Sequence, residues 1–183
     1  MVAVIVIVVI VVLIVGFFWF GYNSLVKRRN QVDNAWSQID VQLKRRHDLI
    51  PNLVETVKGY AAHERGTFEA VTQARANAIN AQTPADQAQA ENVLSGALKS
   101  LFAVAEAYPD LKANQNFLNL QEELTSSEDR VAYARQYYND SVLSYNNQIQ
   151  KFPTVLLAGM FNFDKREFFD AAPEDTETPQ VQF

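Results

Sequence analysis

Two histidines, His47 and His63, and no cysteine bound the chemistry open to this 183-residue chain. His63-Glu64 opens like a zinc-peptidase motif, which needs a second histidine one helical turn on, but position 67 is Thr67. A di-iron bundle needs Glu-x-x-His twice. Here Tyr60 stands three residues before His63, and Lys44 three before His47. The missing cysteines remove disulfides, zinc–thiolate sites, a thiol nucleophile and a lipid-modified N-terminal cysteine. No glycine-rich phosphate loop or G-x-S-x-G elbow occurs. A hydroxyl–histidine pair can converge from any spacing, yet a narrow helical bundle offers little concave surface for one. The expectation is a protein without catalytic, metal or cofactor-binding residues. The formal charge of −5 also argues against nucleic acid as a partner, since phosphates need a basic face.

The densest polar cluster is Arg45-Arg46-His47-Asp48. It reads either as solvated charge, with Asp48 capping a helix, or as a contact point for a partner or a second copy. Pro51 follows, and a proline inside a helical pattern removes one backbone donor and clashes with the preceding turn. A kink is expected at Pro51 rather than a hairpin, because no Gly- or Ser-rich loop accompanies it.

These residues sit on a helical stripe. Leu25, Val32, Ile39, Leu53 and Tyr60 form one series spaced by seven or a multiple of seven; Trp36, Leu43, Ile50, Val57 and Val71 form its partner. Together they make the two seams of a heptad pattern, interrupted at Arg46 and Glu64. Each interruption reads as a satisfied polar position, a snorkelling edge residue or part of a buried network. The pattern weakens after His63-Glu64-Arg65-Gly66 and resumes through Phe68, Val71, Ala74 and Ala78. Thr83 as N-cap and Pro84 at the first helical position open a helix to about Ala107. Tyr108-Pro109-Asp110 marks a turn, and a last helix is expected from about Leu111 to Gln150. In it Phe117, Leu124, Val131, Tyr138, Tyr145 and Phe152 repeat every seven residues, with Leu120, Ala134, Val142 and Ile149 in the second seam. No stretch alternates as a strand would. The expected fold is all-α: one transmembrane helix followed by a bundle of three to four long helices.

The membrane segment is read from residues 1–21. Val2 to Phe20 holds no ionisable side chain, and 16 of its 19 residues are Val, Ile, Leu or Phe. As a helix it spans roughly 29 Å, matching a bilayer's ~30 Å core. Those 16 side chains favour insertion by about 5–10 kcal/mol. Trp19, Phe20 and Tyr22 suit the interface as an aromatic belt, and Lys27, Arg28 and Arg29 follow as a basic collar. The positive-inside rule then places residues 22–183 in the cytoplasm.

Residues 22–151 form the expected bundle. Residues 152–163 are apolar but too short to cross a bilayer. They read either as a cap over the bundle's end or as a contact, through Leu156, Leu157, Met160 and Phe161, with the membrane or a neighbouring subunit. From Asp164 to Phe183 an acidic, disordered tail is expected. Charge divides along the chain, net +3 over residues 22–80 and net −8 over residues 81–183. Opposed halves can order helices within one molecule or steer copies head to tail.

Gly21-Tyr-Asn-Ser-Leu-Val26, Ala35-Trp-Ser-Gln-Ile-Asp40, the run Gln42 to Glu64 around Pro51, and Tyr108-Pro-Asp-Leu-Lys-Ala-Asn114 resemble the LemA family of bacterial membrane proteins. The resemblance covers roughly residues 21–170. It implies a bacterial protein of the cell membrane with one N-terminal anchor, a four-helix bundle and no established enzymatic activity. It also implies kinship with a protein of magnetosome membranes thought to help shape or organise membrane. Some relatives carry a lipid-accepting cysteine after the apolar segment and lie outside the cytoplasm, so a bundle facing the exterior stands as the alternative orientation. In this chain that stretch is Phe17-Phe-Trp-Phe-Gly21, and Gly66 replaces the usual helix former. The leading expectation is a self-associating scaffold, a homo-oligomer held on the lipid bilayer that organises or shapes the membrane. An adaptor presenting its bundle to a protease or signalling protein is the alternative, and an enzyme of unknown class the third.

Overall fold

Long helical stretches punctuated by few breakers, with apolar residues spaced three and four apart, can bury a continuous stripe only as helices packed side by side. The computed structural model describes residues 1–169, and every regular element among them is an α-helix. The six are α1 (Val2–Lys58), α2 (Arg65–Ile79), α3 (Pro84–Glu106), α4 (Pro109–Lys112), α5 (Gln115–Gln150) and α6 (Thr154–Met160). They form two units, through both of which α1 and α5 pass. Unit 1 comprises Met1–Ser37 and Tyr137–Glu167; unit 2 comprises Gln38–Gln136 and the described end of the chain, Phe168 and Phe169.

Unit 2 is a four-helix arrangement of the later part of α1, α2, α3 and the earlier part of α5 around one core. Ile50, Leu53, Val57, Phe68, Val71, Leu94, Leu98, Leu101, Leu111, Phe117 and Leu124 fill it. The seams place Leu43, Ile50, Val57 and Val71 inside as expected, but Tyr60 is exposed and Ala61 takes the core position. The heptad stripe does not continue through Tyr60. Instead α1 ends at Lys58, before Gly59, and residues 59–64 turn the chain back. Lys58 Nζ then lies 5.6 Å from the centre of the Phe68 ring on α2. Thr83 caps α3, its hydroxyl accepting from the Asp86 amide at 3.1 Å, with Pro84 at the first turn. Asn114 caps α5 by accepting from the Asn116 and Phe117 amides, which starts that helix at Gln115 rather than at Leu111.

Pro51 lies inside α1, which neither ends nor restarts there. Proline cannot donate to the carbonyl four residues back, that of His47. Arg75 of α2 supplies the donor instead, its Nε 2.8 Å from His47 O. Asp48 accordingly caps nothing and is exposed.

Unit 1 joins the start of α1, the end of α5, α6 and an extended run after it. Its buried apolar residues are Leu25, Val32, Ala35, Tyr138, Val142, Tyr145, Ile149, Leu157, Ala158 and Phe163. Val2–Phe20 belongs to α1, a helix long and apolar enough to cross a membrane, and none of that window is buried in the fold. Phe152, placed by its spacing in the seam of α5, is 82% exposed because α5 stops at Gln150. α6 ends at Met160, and Asn162, one residue past the Phe161 cap, turns the chain with a left-handed φ of 54°. Phe163 N–H returns to Ala158 O at 2.9 Å, closing the helix end. The acidic tail does not start free at Asp164, since residues 164–167 are tied onto α1 and α5 as described below. Its expected disorder from residue 170 on lies outside the described residues.

Candidate functional site

Two clusters gather the polar and interfacial residues, one in each unit. In unit 2, α1 contributes Arg46 and His47, and α3 contributes Gln87, Glu91 and Ser95. All but Ser95 are buried. Glu91 accepts from three donors. Arg46 Nη1 lies 3.0 Å from Oε2, Gln87 Nε2 3.1 Å from Oε1, and His47 Nε2 2.6 Å from Oε1. With Glu91 ionised, the imidazole holds its proton on Nε2. Arg46 Nη2 also donates to Ser95 Oγ at 2.8 Å, and Gln87 Nε2 reaches Ala78 O at 3.0 Å. Arg46 and His47 are therefore neither solvated nor snorkelling; they are the α1 half of a buried network that ties α1 to α3 and α3 to α2. Of the same cluster, Arg45 is exposed, and its 3.8 Å pairing with Glu123 is the weak surface kind. Asp48, with Asp40, Lys44, His47 and Gln87, lines a groove of about 290 Å³. Among the described residues no three His, Asp or Glu side chains gather as a metal site would require.

Gln87, Glu91 and Ser95 were not singled out by sequence, although a signal existed. Gln87, Glu91, Leu94, Leu98, Leu101 and Ala105 are spaced alternately by four and three, so two polar residues occupy a packing seam. Arg46 does the same between Leu43 and Ile50. Polar residues in facing seams imply one another.

In unit 1 the structure packs Tyr22, Arg28, Arg29, Leu157 and Phe161 against neighbouring side chains or backbone and leaves Trp19, Phe20, Lys27, Leu156 and Met160 exposed. Trp19 and Phe20 are exposed on α1. The Tyr22 ring meets Phe161 and Phe163 edge-on at 4.9 and 5.8 Å. Arg29 lies 5.1 Å over the Phe163 ring, Arg28 donates to Ser144 Oγ, and Lys27 is exposed. Leu157 is fully buried and touches Gly21: a Cβ added at Gly21 would overlap Leu157 Cδ1. Leu156 and Met160 point outward, 60% and 61% exposed, and Phe161 is partly so. The chain after α6 is laid along the helices by its backbone and by one ion pair. Tyr145 donates to Asp164 O at 3.0 Å and Tyr138 to Glu167 O at 2.8 Å. Asn146 exchanges two bonds with the Arg166 backbone, and the Arg166 guanidinium pairs with Asp33 at 2.9 Å. Burial pushes both tyrosine hydroxyls above the usual range, with the Arg166 charge pulling the other way.

The LemA family model matches residues 35–183. Protein LemA of Metamycoplasma hominis is 29% identical over 166 residues, covering 86% of this chain and 74% of its own length. Magnetosome protein MamQ 2 of Paramagnetospirillum magneticum is 28% identical over 189 residues, covering 87% and 70%. Magnetosome protein MamQ of Magnetospirillum gryphiswaldense is 27% identical, with the same coverage.

Proposed function

The chain belongs to the LemA family, and on that premise we propose that it is a non-catalytic, membrane-anchored scaffold that self-associates and organises the bacterial membrane. The observation that carries this reading is the junction in unit 1. The apolar stretch Val2–Phe20 and the packed residues Leu25, Val32 and Ala35 are one unbroken helix, with no flexible linker between them. An anchor built into the fold fixes how the folded part meets the bilayer, whereas a tether does not. Of the basic collar, the exposed Lys27 is free to meet the headgroups, where a lysine adds about 1 kcal/mol against anionic lipid. Weak contacts between neighbouring copies multiply once the copies share a surface. The similarity to magnetosome proteins fits such an organising role. The rule of positive charge points the folded part to the cytoplasm.

Light scattering on the full-length protein in detergent tests the self-association. A protein mass above the 20.7 kDa of one chain, rising with concentration, is expected. A monomer at every concentration would overturn the reading.

A further inference from the structure

α6 has two faces, and one of them has no partner in the fold. Thr154, Leu157 and Ala158 are buried, while Val155, Leu156 and Met160 are exposed, with Phe152 and Phe161 exposed on either side. The spacing is that of an amphipathic helix, yet no charged residue occurs between Phe152 and Phe163, so the outward face is as apolar as the inward one. Its level along α1 is fixed by contact. Leu157 lies against Gly21, and Phe161 against Tyr22. Tyr22 stands two residues past Phe20, about 3 Å along the helix axis. The interfacial layer on each side of the hydrocarbon core is roughly 5–7 Å thick. A helix held at Tyr22 therefore sits inside that layer when Val2–Phe20 fills the core. The surface is also continuous with the anchor: Ile14, Val15, Phe18, Trp19, Tyr22 and Phe161 line a single apolar groove of about 600 Å³.

We propose that α6 is an interfacial helix, a second membrane contact whose Leu156, Met160 and Phe161 enter the headgroup–acyl boundary beside the point where the anchor leaves the bilayer. Its occupant is lipid. The exposed Lys27 and Lys151 place positive charge where an anionic leaflet offers the complement. Two contacts at fixed separation would set the anchor's tilt and rotation, which a lone helix leaves free. The inference rests on the anchored reading above.

The absence of native cysteine allows a single spin label at each chosen site. The full-length protein is labelled at Leu156→Cys, Met160→Cys, Tyr137→Cys or Val9→Cys and reconstituted into phosphatidylethanolamine–phosphatidylglycerol vesicles. Collision with oxygen and with a water-soluble nickel chelate is then measured. Tyr137 precedes Tyr138, whose ring lies against that of Trp36, so it lies about 21 Å beyond the Tyr22 level. The oxygen-to-nickel ratio at positions 156 and 160 is expected to exceed that at 137 severalfold, and to fall below that at 9. Ratios at 156 and 160 equal to that at 137 overturn the inference. So does exclusion of both reagents with label–label broadening, which would mean a second copy covers the face. An aqueous ratio at 9 would instead refute the anchor.

Discussion

Glu91 holds three donors within 3.1 Å at a site almost closed to water. Removing its carboxylate leaves Arg46 charged, buried and unpaired, a loss that costs about 3–5 kcal/mol in comparable pairs. Glu91→Ala should therefore lower the unfolding free energy by that amount in a chemical denaturation series. Glu91→Gln, which keeps an acceptor for His47, should lose less. Equal stability of Glu91→Ala and the parent would mean the network contributes nothing net. The tyrosines of unit 1 give a prediction in pH. The raised hydroxyls of Tyr138 and Tyr145 favour the neutral form in the fold, so the unfolded chain releases these protons first. Their stabilisation is complete below pH ~10 and declines as pH climbs through the higher folded values. Each ionisation also removes the donor that holds Glu167 O or Asp164 O. Tyr138→Phe and Tyr145→Phe should each cost about 0.5–1.5 kcal/mol at pH 7. Together they should flatten the alkaline loss seen in a thermal melt series.

At the scale of elements, α1 runs through Pro51 because another helix supplies what proline lacks. Arg75 donates to the His47 carbonyl, and the expected effect is non-additive. Arg75→Ala should cost about 1–3 kcal/mol in the parent, where that carbonyl loses its donor. In a Pro51→Ala background the new N–H can take the carbonyl, and the same change should cost markedly less. A double-mutant cycle by urea unfolding measures the difference, and strict additivity would reject the link. Most of the elements were legible in the sequence for a local reason. Thr83-Pro84 starts a helix through capping groups within three residues, and Phe117 to Tyr145 bury one stripe through a fixed period. What stayed hidden depended on partners far along the chain. Arg46 and Glu91 lie 45 residues apart, and only their places in two packing seams hint at the pairing, while the charged residues beside Arg46 favour a solvent-facing reading. The turn at residues 59–64 escaped because the seven-residue count lands on Tyr60, while the buried side chain is Ala61. Asp164 to Glu167 read as tail because most of their attachments use backbone atoms, which carry no side-chain signature, and the one side-chain tie, Arg166 to Asp33, joins residues 133 apart in sequence.

For the whole molecule, the two clusters divide the work. The network in unit 2 fixes which helices are neighbours, and unit 1 joins an apolar stretch to a folded one without a linker. Net positive charge over residues 22–80 and net negative charge over residues 81–183 can order helices within one molecule or steer copies head to tail. If that division helps copies meet, raising ionic strength well past physiological should weaken association, since the Debye length falls from about 8 Å to about 3 Å at 1 M salt. Sedimentation across a salt series reads this directly. The most direct test of a self-associating membrane scaffold is imaging of the full-length protein extracted together with its surrounding lipid. Several copies within each lipid particle, their apolar N-terminal helices embedded, are the expected result. Particles holding a single copy, or protein recovered free of lipid, would contradict it.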